Sequence, residues 1–233
     1  MKKYLLFLFA MLYGSIGAWA DLPSGLTVTD DNSTITVNST TAGLINSNIS
    51  DVKASGYPTY RNFLKIIGNI NQDDINSLAA WSEFGSQQGY VMAIDFSEAT
   101  IVGGGTFTAH SNFKGIGLPA DYDFYSYSGS LTFAYYIKDN DVYLHAFNSS
   151  GVTDFVSFSQ SNSWKNAVAN NKKVYLSGSY GDFETAKNSL LGNLGAGVTE
   201  VIKVAPVSND PYTVSGCDVV INTAKAEEGQ ILS

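Results

Sequence analysis

The chain has 233 residues, of which 44% are hydrophobic and 15% are charged, and its formal net charge is −8. This hydrophobic content excludes a disordered chain, and the acidic balance argues against nucleic acid or an anionic membrane as partner. A single cysteine excludes a disulfide framework and a cysteine-rich metal site. The chain holds 14 Tyr and 13 Phe, and its polar residues are mainly Ser, Thr, Asn and Gly, a mixture that favours strands and turns.

The first twenty residues carry the features of a secretory signal peptide. Lys2 and Lys3 form a basic start, residues 4–13 are an unbroken apolar run, and an Ala-Trp-Ala triplet at 18–20 matches the small-x-small cleavage rule. The run is too short to span a bilayer, and no later stretch is apolar enough. We therefore expect cleavage after Ala20 and a secreted or cell-surface protein without a transmembrane segment in the mature chain. The alternative is a buried or membrane-anchoring helix.

The first elements after the signal are short. Apolar and polar residues alternate at 26–29 and at 35–38 on either side of an Asp-Asp-Asn-Ser turn, which predicts a hairpin. The apolar spacing over 41–49 predicts a short helix.

A strand–helix–strand unit follows. Residues 63–68 read as a strand that ends at a glycine, Asn71 or Asp73 is placed to cap a helix over 74–81, and 91–97 read as a second strand.

The same pattern returns near the end of the chain. A strand is predicted at 173–178, a helix capped by Asp182 follows it, and a strand over 197–204 closes the unit. The sequence at 151–159 repeats the Gly-Val-Thr-acidic opening of 197–204 and predicts a shorter echo of that strand.

Recurring units of this kind predict an α/β fold with one parallel sheet, arranged as an irregular solenoid. We expect a single repeat-like domain over 21–233, with units at about 34–101 and 151–233 and a β-rich aromatic insertion at about 102–147 between them. Chance recurrence of common strand–turn–helix patterns is the alternative. Within the insertion, residues 131–137 and 142–147 read as two strands joined by a Lys-Asp-Asn-Asp turn.

Three segments carry a family pattern: Leu-Lys-Ile-Ile-Gly at 64–68, Asn-Gln-Asp-Asp-Ile at 71–75 and Ala-Ile-Asp-Phe-Ser-Glu-Ala-Thr-Ile at 93–101. With these segments, residues 35–105 resemble the BspA-like leucine-rich repeat proteins, which are secreted or surface proteins of Gram-negative anaerobic bacteria. One departure is Phe96, where the family has leucine. The resemblance implies an exported adhesion or scaffold module with a parallel sheet, and it supplies no catalytic residues.

Aromatic residues are concentrated in the predicted insertion. Tyrosine combines a rigid apolar ring with a hydroxyl, a combination that suits both sugar rings and protein partners. The alternative is that tyrosines at period-two positions fill a half-buried sheet surface. The candidate ligand-binding residues are Tyr122, Phe124, Tyr125, Tyr127 and Tyr136.

Other chemistry is weakly represented. The two histidines, His110 and His145, lie in no zinc-binding motif, and Cys217 reads as a small buried residue rather than a nucleophile. The acids in the turns at 121–123 and 139–141 read as solvated residues rather than calcium ligands. We therefore predict no metal, no cofactor and no catalytic residue.

These observations predict a non-enzymatic binding or adhesion protein that recognises a protein or glycan at the cell surface. One alternative is a carbohydrate-binding β-module of a polysaccharide-utilisation system. Another is a β-helix polysaccharide hydrolase or lyase that uses turn aspartates.

Overall fold

The computed structural model describes residues 22–30, 34–55, 63–81, 92–109, 112–120, 127–159, 172–194, 197–204, 212–215 and 218–221. The predicted signal peptide at 1–20 and Cys217 lie outside these ranges. Within them no helix combines the length and the apolar character needed to cross a bilayer.

The described residues form strands joined by short helices. The strands are β1 (Leu26–Asp30), β2 (Thr34–Ser39), β3 (Phe63–Ile70), β4 (Met92–Ile101), β5 (Phe107–Ala109), β6 (Phe113–Gly117), β7 (Tyr127–Gly129), β8 (Phe133–Lys138), β9 (Asp141–Ala146), β10 (Lys172–Gly178), β11 (Val198–Lys203), β12 (Tyr212–Ser215) and β13 (Asp218–Ile221). The helices are α1 (Leu44–Ser47), α2 (Ile49–Ser55), α3 (Gln72–Ala79), α4 (Gly151–Ser159) and α5 (Phe183–Asn193).

Nine of these strands form one mixed sheet in the order β1-β2-β3-β4-β6-β8-β9-β10-β11. Six of its eight neighbouring pairs are parallel, and β1–β2 and β8–β9 are the antiparallel ones. Two further pairs, β5–β7 and β12–β13, form separate two-stranded sheets. The predicted mixed α/β class with a mostly parallel sheet is confirmed.

The stretch 102–147, predicted as an insertion, contributes strands to the middle of this sheet. It holds β5 to β9, and β6, β8 and β9 lie between β4 and β10. The predicted hairpin is β8–β9, and its turn residues Asp139 and Asn140 have positive φ angles of 51° and 72°. Two successive left-handed residues are the geometry of the type I′ turn, which matches the twist of the paired strands.

Residues 151–159 form helix α4, so the prediction of a strand echo there is wrong. Val152, Phe155 and Val156 are buried, and they follow the i, i+3, i+4 spacing that places side chains on one helix face. The shared Gly-Val-Thr-acidic opening does not determine whether a helix or a strand forms. The spacing of the apolar residues that follow it does.

The sheet has a hydrophobic core on each face. Adjacent strand residues point to opposite faces, and Leu64 belongs to one buried cluster whereas its neighbour Phe63 belongs to another. The first core contains Ile45 of α1, Val52 of α2, and Ile75 and Leu78 of α3. The second core is formed with α4 and α5, and its members there are Val152, Phe155, Val156, Phe158, Ala186 and Leu190.

The helices lie on one face of the sheet before β8 and on the other face after β9, because β8 and β9 are antiparallel. Crossovers between parallel strands of one sheet are almost always right-handed. Strands β9 to β11 run opposite to β2 to β4, while the sheet keeps growing in the same lateral direction. A right-handed crossover therefore places α4 and α5 on the face opposite α1 to α3. The face of β8 to β11 that lies opposite α4 and α5 is the one on which the candidate site lies.

Buried polar contacts fix the first helices. Asn71, one of the two predicted candidates, caps α3 in a capping box with Asp74. The buried Asp74 carboxylate also accepts hydrogen bonds from the backbone N–H groups of Gly43 at 2.6 Å and Asn46 at 2.7 Å. One side chain thus joins the start of α3 to the start of α1.

Asp182 caps helix α5, as predicted. Its carboxylate accepts hydrogen bonds from the backbone N–H of Thr185 at 2.8 Å and from its hydroxyl at 2.7 Å. These bonds hold the pKa of Asp182 below its usual value.

Candidate functional site

Three tyrosines stack across neighbouring strands on the face opposite α4 and α5. Tyr136 of β8, Tyr143 of β9 and Tyr175 of β10 occupy one cross-strand row, and Ile202 of β11 continues it. The Tyr136 and Tyr143 ring centroids are 4.5 Å apart with an interplanar angle of 7°, and those of Tyr143 and Tyr175 are 4.6 Å apart with an angle of 8°. We call Tyr136, Tyr143 and Tyr175 the tyrosine ladder.

The stacking decides which part of each tyrosine is accessible. The ring spacing is close to the spacing of about 4.8 Å between neighbouring strands, so the rings stand upright on the sheet. Tyr143 has a ring on each side, which covers both of its faces. All three residues are half-buried. At its centre the ladder therefore presents the ring edge and hydroxyl of Tyr143 rather than a ring face.

A row of charged residues runs beside the ladder. Lys138 is paired with Asp141 in the β8–β9 register, and Lys173 is paired with Glu200 in the β10–β11 register. The Asp141 carboxylate accepts a hydrogen bond from the Lys173 backbone N–H at 2.9 Å, and Lys173 Nζ lies 3.1 Å from Glu200 Oε2. We call these four residues the charged row. Their signs alternate from β8 to β11.

The ion pair within the charged row is exposed. The Lys173 and Glu200 side chains are 47% and 53% exposed. The hydrogen bond that Lys173 donates to Glu200, together with the charge of Glu200, raises the pKa of Lys173, so the lysine is cationic at neutral pH. An exposed pair of this kind adds little to stability. Its effect is on the register of the two strands and on the charge at the surface.

A polar pair lies on the other side of the ladder. His145 of β9 is opposite Ser177 of β10, and His145 Nδ1 lies 2.9 Å from Ser177 Oγ. The Ser177 hydroxyl also donates to the Leu144 carbonyl at 3.4 Å, and the Phe147 ring meets the imidazole edge-on at 4.9 Å. The pair links two strands and adds polar groups to the same face.

The hydroxyls of Tyr136 and Tyr143 are neutral at physiological pH. Burial raises the pKa of Tyr136, and the neighbouring Tyr143 raises it further. Burial also raises the pKa of Tyr143, and Tyr175, Asp141 and Asp139 add to that effect. These hydroxyls therefore act as neutral hydrogen-bond donors and acceptors, not as phenolate nucleophiles.

This environment predicts a specific alkaline behaviour. In the unfolded chain a tyrosine ionises near pH 10, and in the folded protein Tyr143 ionises at higher pH. Its contribution to stability is therefore complete below about pH 10 and is lost as the pH rises towards the folded pKa. We expect Tyr143→Phe to remove one phenol that ionises above pH 10 from an ultraviolet absorbance titration. Loss of a phenol that ionises at or below pH 10 would contradict the stacked, half-buried position.

The structure places the five predicted binding residues in different parts of the chain or leaves them outside the described ranges. Tyr136 is in the ladder, and Tyr127 lies in β7 opposite Phe107 of β5. Tyr143 and Tyr175 complete the ladder but are not among those predicted residues. Three of the predicted residues lie outside the described ranges: Tyr122, Phe124 and Tyr125.

One tyrosine of the same hairpin is a core residue instead. Tyr135, adjacent to Tyr136, is fully buried in the second core, and its hydroxyl donates to the Asp95 carboxylate at 3.0 Å. Burial raises the pKa of Asp95, against the lowering effects of Ser97 and Tyr135. Tyr135 therefore fits the alternative interpretation, in which the aromatic side chains pack against the sheet instead of binding a ligand.

Of the turn acids, Asp139 and Asp141 lie at the end of the β8–β9 hairpin, and Asp121 and Asp123 lie outside the described ranges. Asp139 is exposed in the turn, and Asp141 begins β9 in the charged row. In the part of the chain that the structure describes, no group of three His, Cys, Asp or Glu side chains is placed to hold a metal ion.

A scan against protein-family models, a search of the curated proteins and a search of the solved structures give no match to this chain. The functional conclusion is therefore drawn from the geometry of the sheet face.

Proposed function

We propose that this protein is an exported, non-enzymatic binding protein with an irregular, leucine-rich-repeat-like solenoid architecture. It recognises a polypeptide partner at the cell surface through the tyrosine ladder. The observation that carries the proposal is the half-exposed stack of three tyrosines on the face opposite α4 and α5. Export rests on the signal-peptide features at 1–20.

The order of the strands supports the solenoid. Each strand of the main sheet lies beside the next one that the chain supplies to it. From β4 to β8 the chain alternates between the main sheet and the β5–β7 sheet, and Phe107 pairs with Tyr127, 20 positions later (127 − 107). That spacing lies at the lower end of leucine-rich repeats, about 20–29 residues. The resemblance of residues 35–105 to the BspA-like proteins agrees with this architecture.

The arrangement of the rings favours a polypeptide over a glycan. Sugar rings stack on displayed aromatic faces, and the faces of Tyr143 are covered by its neighbours. Tyrosine edges and hydroxyls, on the other hand, contribute rigid contact area and hydrogen bonds in protein interfaces. The charged row beside the ladder adds orientation to such an interface.

Binding to a panel of extracellular-matrix proteins and immobilised glycans tests the proposal. We expect a polypeptide to bind, and we expect Tyr143→Ala to weaken that binding at least about tenfold, because truncation of a central tyrosine removes a typical hot-spot contact.

Tyr180→Ala is the matched control. Tyr180 is also half-buried, but it packs against the second core, with its ring edge-on to Phe183 at 6.1 Å. Equal losses in the two variants would show a stability effect and would contradict the proposal. Binding of glycans alone would favour the carbohydrate-binding alternative.

A further inference from the structure

The main sheet ends at β11, and the direction of its backbone groups shows what its outer edge presents. The Val204 N–H donates to the Leu176 carbonyl of β10 at 2.8 Å. Successive residues of a parallel strand direct their N–H and C=O groups to alternate sides. The N–H and C=O of Lys203 therefore point away from β10, towards the position of a further strand. Among the described strands, none pairs with this edge.

Two rows of side chains reach this edge, and they determine which side chains would be favourable on a further strand. The charged row runs Lys138, Asp141, Lys173, Glu200, so its alternation ends on a carboxylate. The ladder row ends on the half-buried Ile202, two residues after Glu200. Opposite charges and apolar pairs are favourable between directly facing strand residues. The next position in the charged row therefore suits a cation, and the next in the ladder row an aromatic or aliphatic side chain.

We propose that β11 accepts an added strand from an extended polypeptide that places a basic residue beside Glu200 and an aromatic or aliphatic residue, two positions away, beside Ile202. Main-chain hydrogen bonds supply affinity in this mode of recognition, and the alternate side chains supply specificity. This inference rests on the proposed function and extends the binding surface from the face of the sheet to its edge.

A second copy of this chain fits the edge less well. The opposite edge of the main sheet is β1, with the sequence Leu-Thr-Val-Thr-Asp. It offers an aspartate and no basic residue, so edge-to-edge assembly through β1 would place no cation beside Glu200.

Synthetic peptides test the proposal directly. The probes are fluorescent strand-forming peptides of about ten residues, with a lysine two positions before a tyrosine, with the lysine two positions after it, or with glutamate in place of the lysine. We expect one lysine peptide to bind at least about fivefold more tightly than the glutamate peptide, because facing opposite charges attract and like charges repel. The order that binds identifies a parallel or an antiparallel added strand.

Two sets of variants locate the contact. Glu200→Lys is expected to reverse the preference, so that the glutamate peptide binds more tightly. Lys203→Pro removes the outward N–H and is expected to weaken binding at least about tenfold, whereas Lys203→Ala removes only the side chain and is expected to retain binding within about twofold.

The outcomes separate the edge from the ladder. Loss of binding in Lys203→Pro, together with a reversed preference in Glu200→Lys, supports the added strand. Equal binding of lysine and glutamate peptides, or no binding of any peptide to the wild-type chain, overturns it. Self-association that Lys203→Pro abolishes also overturns it, because the edge would then take a second copy. A panel partner that needs Tyr143 but tolerates Lys203→Pro would leave the proposed function intact while overturning this inference.

Discussion

Asp74→Ala is expected to lower the free energy of unfolding by about 3–5 kcal/mol, because it removes the charged acceptor that three backbone N–H groups share. The carboxylate accepts from Gly43 at 2.6 Å, from Asn46 at 2.7 Å and from Asn71 at 3.1 Å, and the residue is fully buried. Hydrogen bonds to a charged group contribute more than neutral ones, and these three bonds are partly buried, so water replaces the lost carboxylate only in part. Urea unfolding of the two proteins measures the difference.

Asp73→Ala is the control for this prediction. Asp73 precedes Asp74 in the first turn of α3, carries the same charge and is exposed. Its replacement is expected to change stability by no more than about 0.5 kcal/mol. Asp74→Asn keeps the side-chain volume and should also destabilise, because an amide offers one acceptor atom instead of two. Equal effects at positions 73 and 74 would show that the aspartates act only through the helix dipole.

Gly115→Ala is expected to destabilise the protein by about 3 kcal/mol or more through overpacking. An added Cβ would lie 1.9–2.7 Å from three atoms of the Phe133 ring. That ring is held by Phe155, edge-on at 5.4 Å, and by Phe158 at 5.8 Å. All three rings are fully buried in the second core, so a shift of the Phe133 ring would displace its aromatic neighbours.

Gly192→Ala separates this steric effect from the general effect of replacing glycine. Gly192 lies inside α5, and no atom lies within 4 Å of the Cβ that alanine would add. The change is expected to stabilise the protein by about 0.5–1 kcal/mol, because alanine has the higher helix propensity. Thermal unfolding of both variants gives the comparison. A stable Gly115→Ala protein would contradict the close packing of β6 under Phe133.

Local chemistry made part of this fold predictable from sequence. The β1–β2 hairpin, the cap at Asn71, the cap at Asp182 and the β8–β9 turn each depend on a few adjacent residues, and each lies where the sequence predicts it. Capping and turn formation are short-range effects, so a single sequence carries enough information to place them.

Long-range features were not predictable in the same way. Asp74 reads in the sequence as an acid in the first turn of a helix, yet it also bonds Asn46, 28 residues earlier. Tyr175 reads as an ordinary strand residue and joins the ladder only because β10 is paired in register with β9. Pairing partners and register arise from tertiary packing, which periodicity within one strand does not encode.

The presence of a hydrophobic core on each face of the sheet also depends on long-range pairing. The sequence indicates that 102–147 differs from its surroundings, and it predicts the β8–β9 hairpin. It does not indicate that this hairpin lies in the middle of the main sheet and reverses the strand direction there. That reversal transfers the helices to the other face, and the tyrosine ladder is a consequence of it.

The proposed function requires that a partner binds the face of the sheet that carries the ladder. Hydroxyl-radical footprinting of the protein, alone and with the polypeptide that binds it, tests this claim most directly. We expect Tyr136, Tyr143 and Tyr175 to react in the free protein and to be protected in the complex. Tyr180 on the other face should react equally in both states, and the buried Tyr135 should react in neither. Protection of Tyr180 with an unchanged ladder would contradict the account.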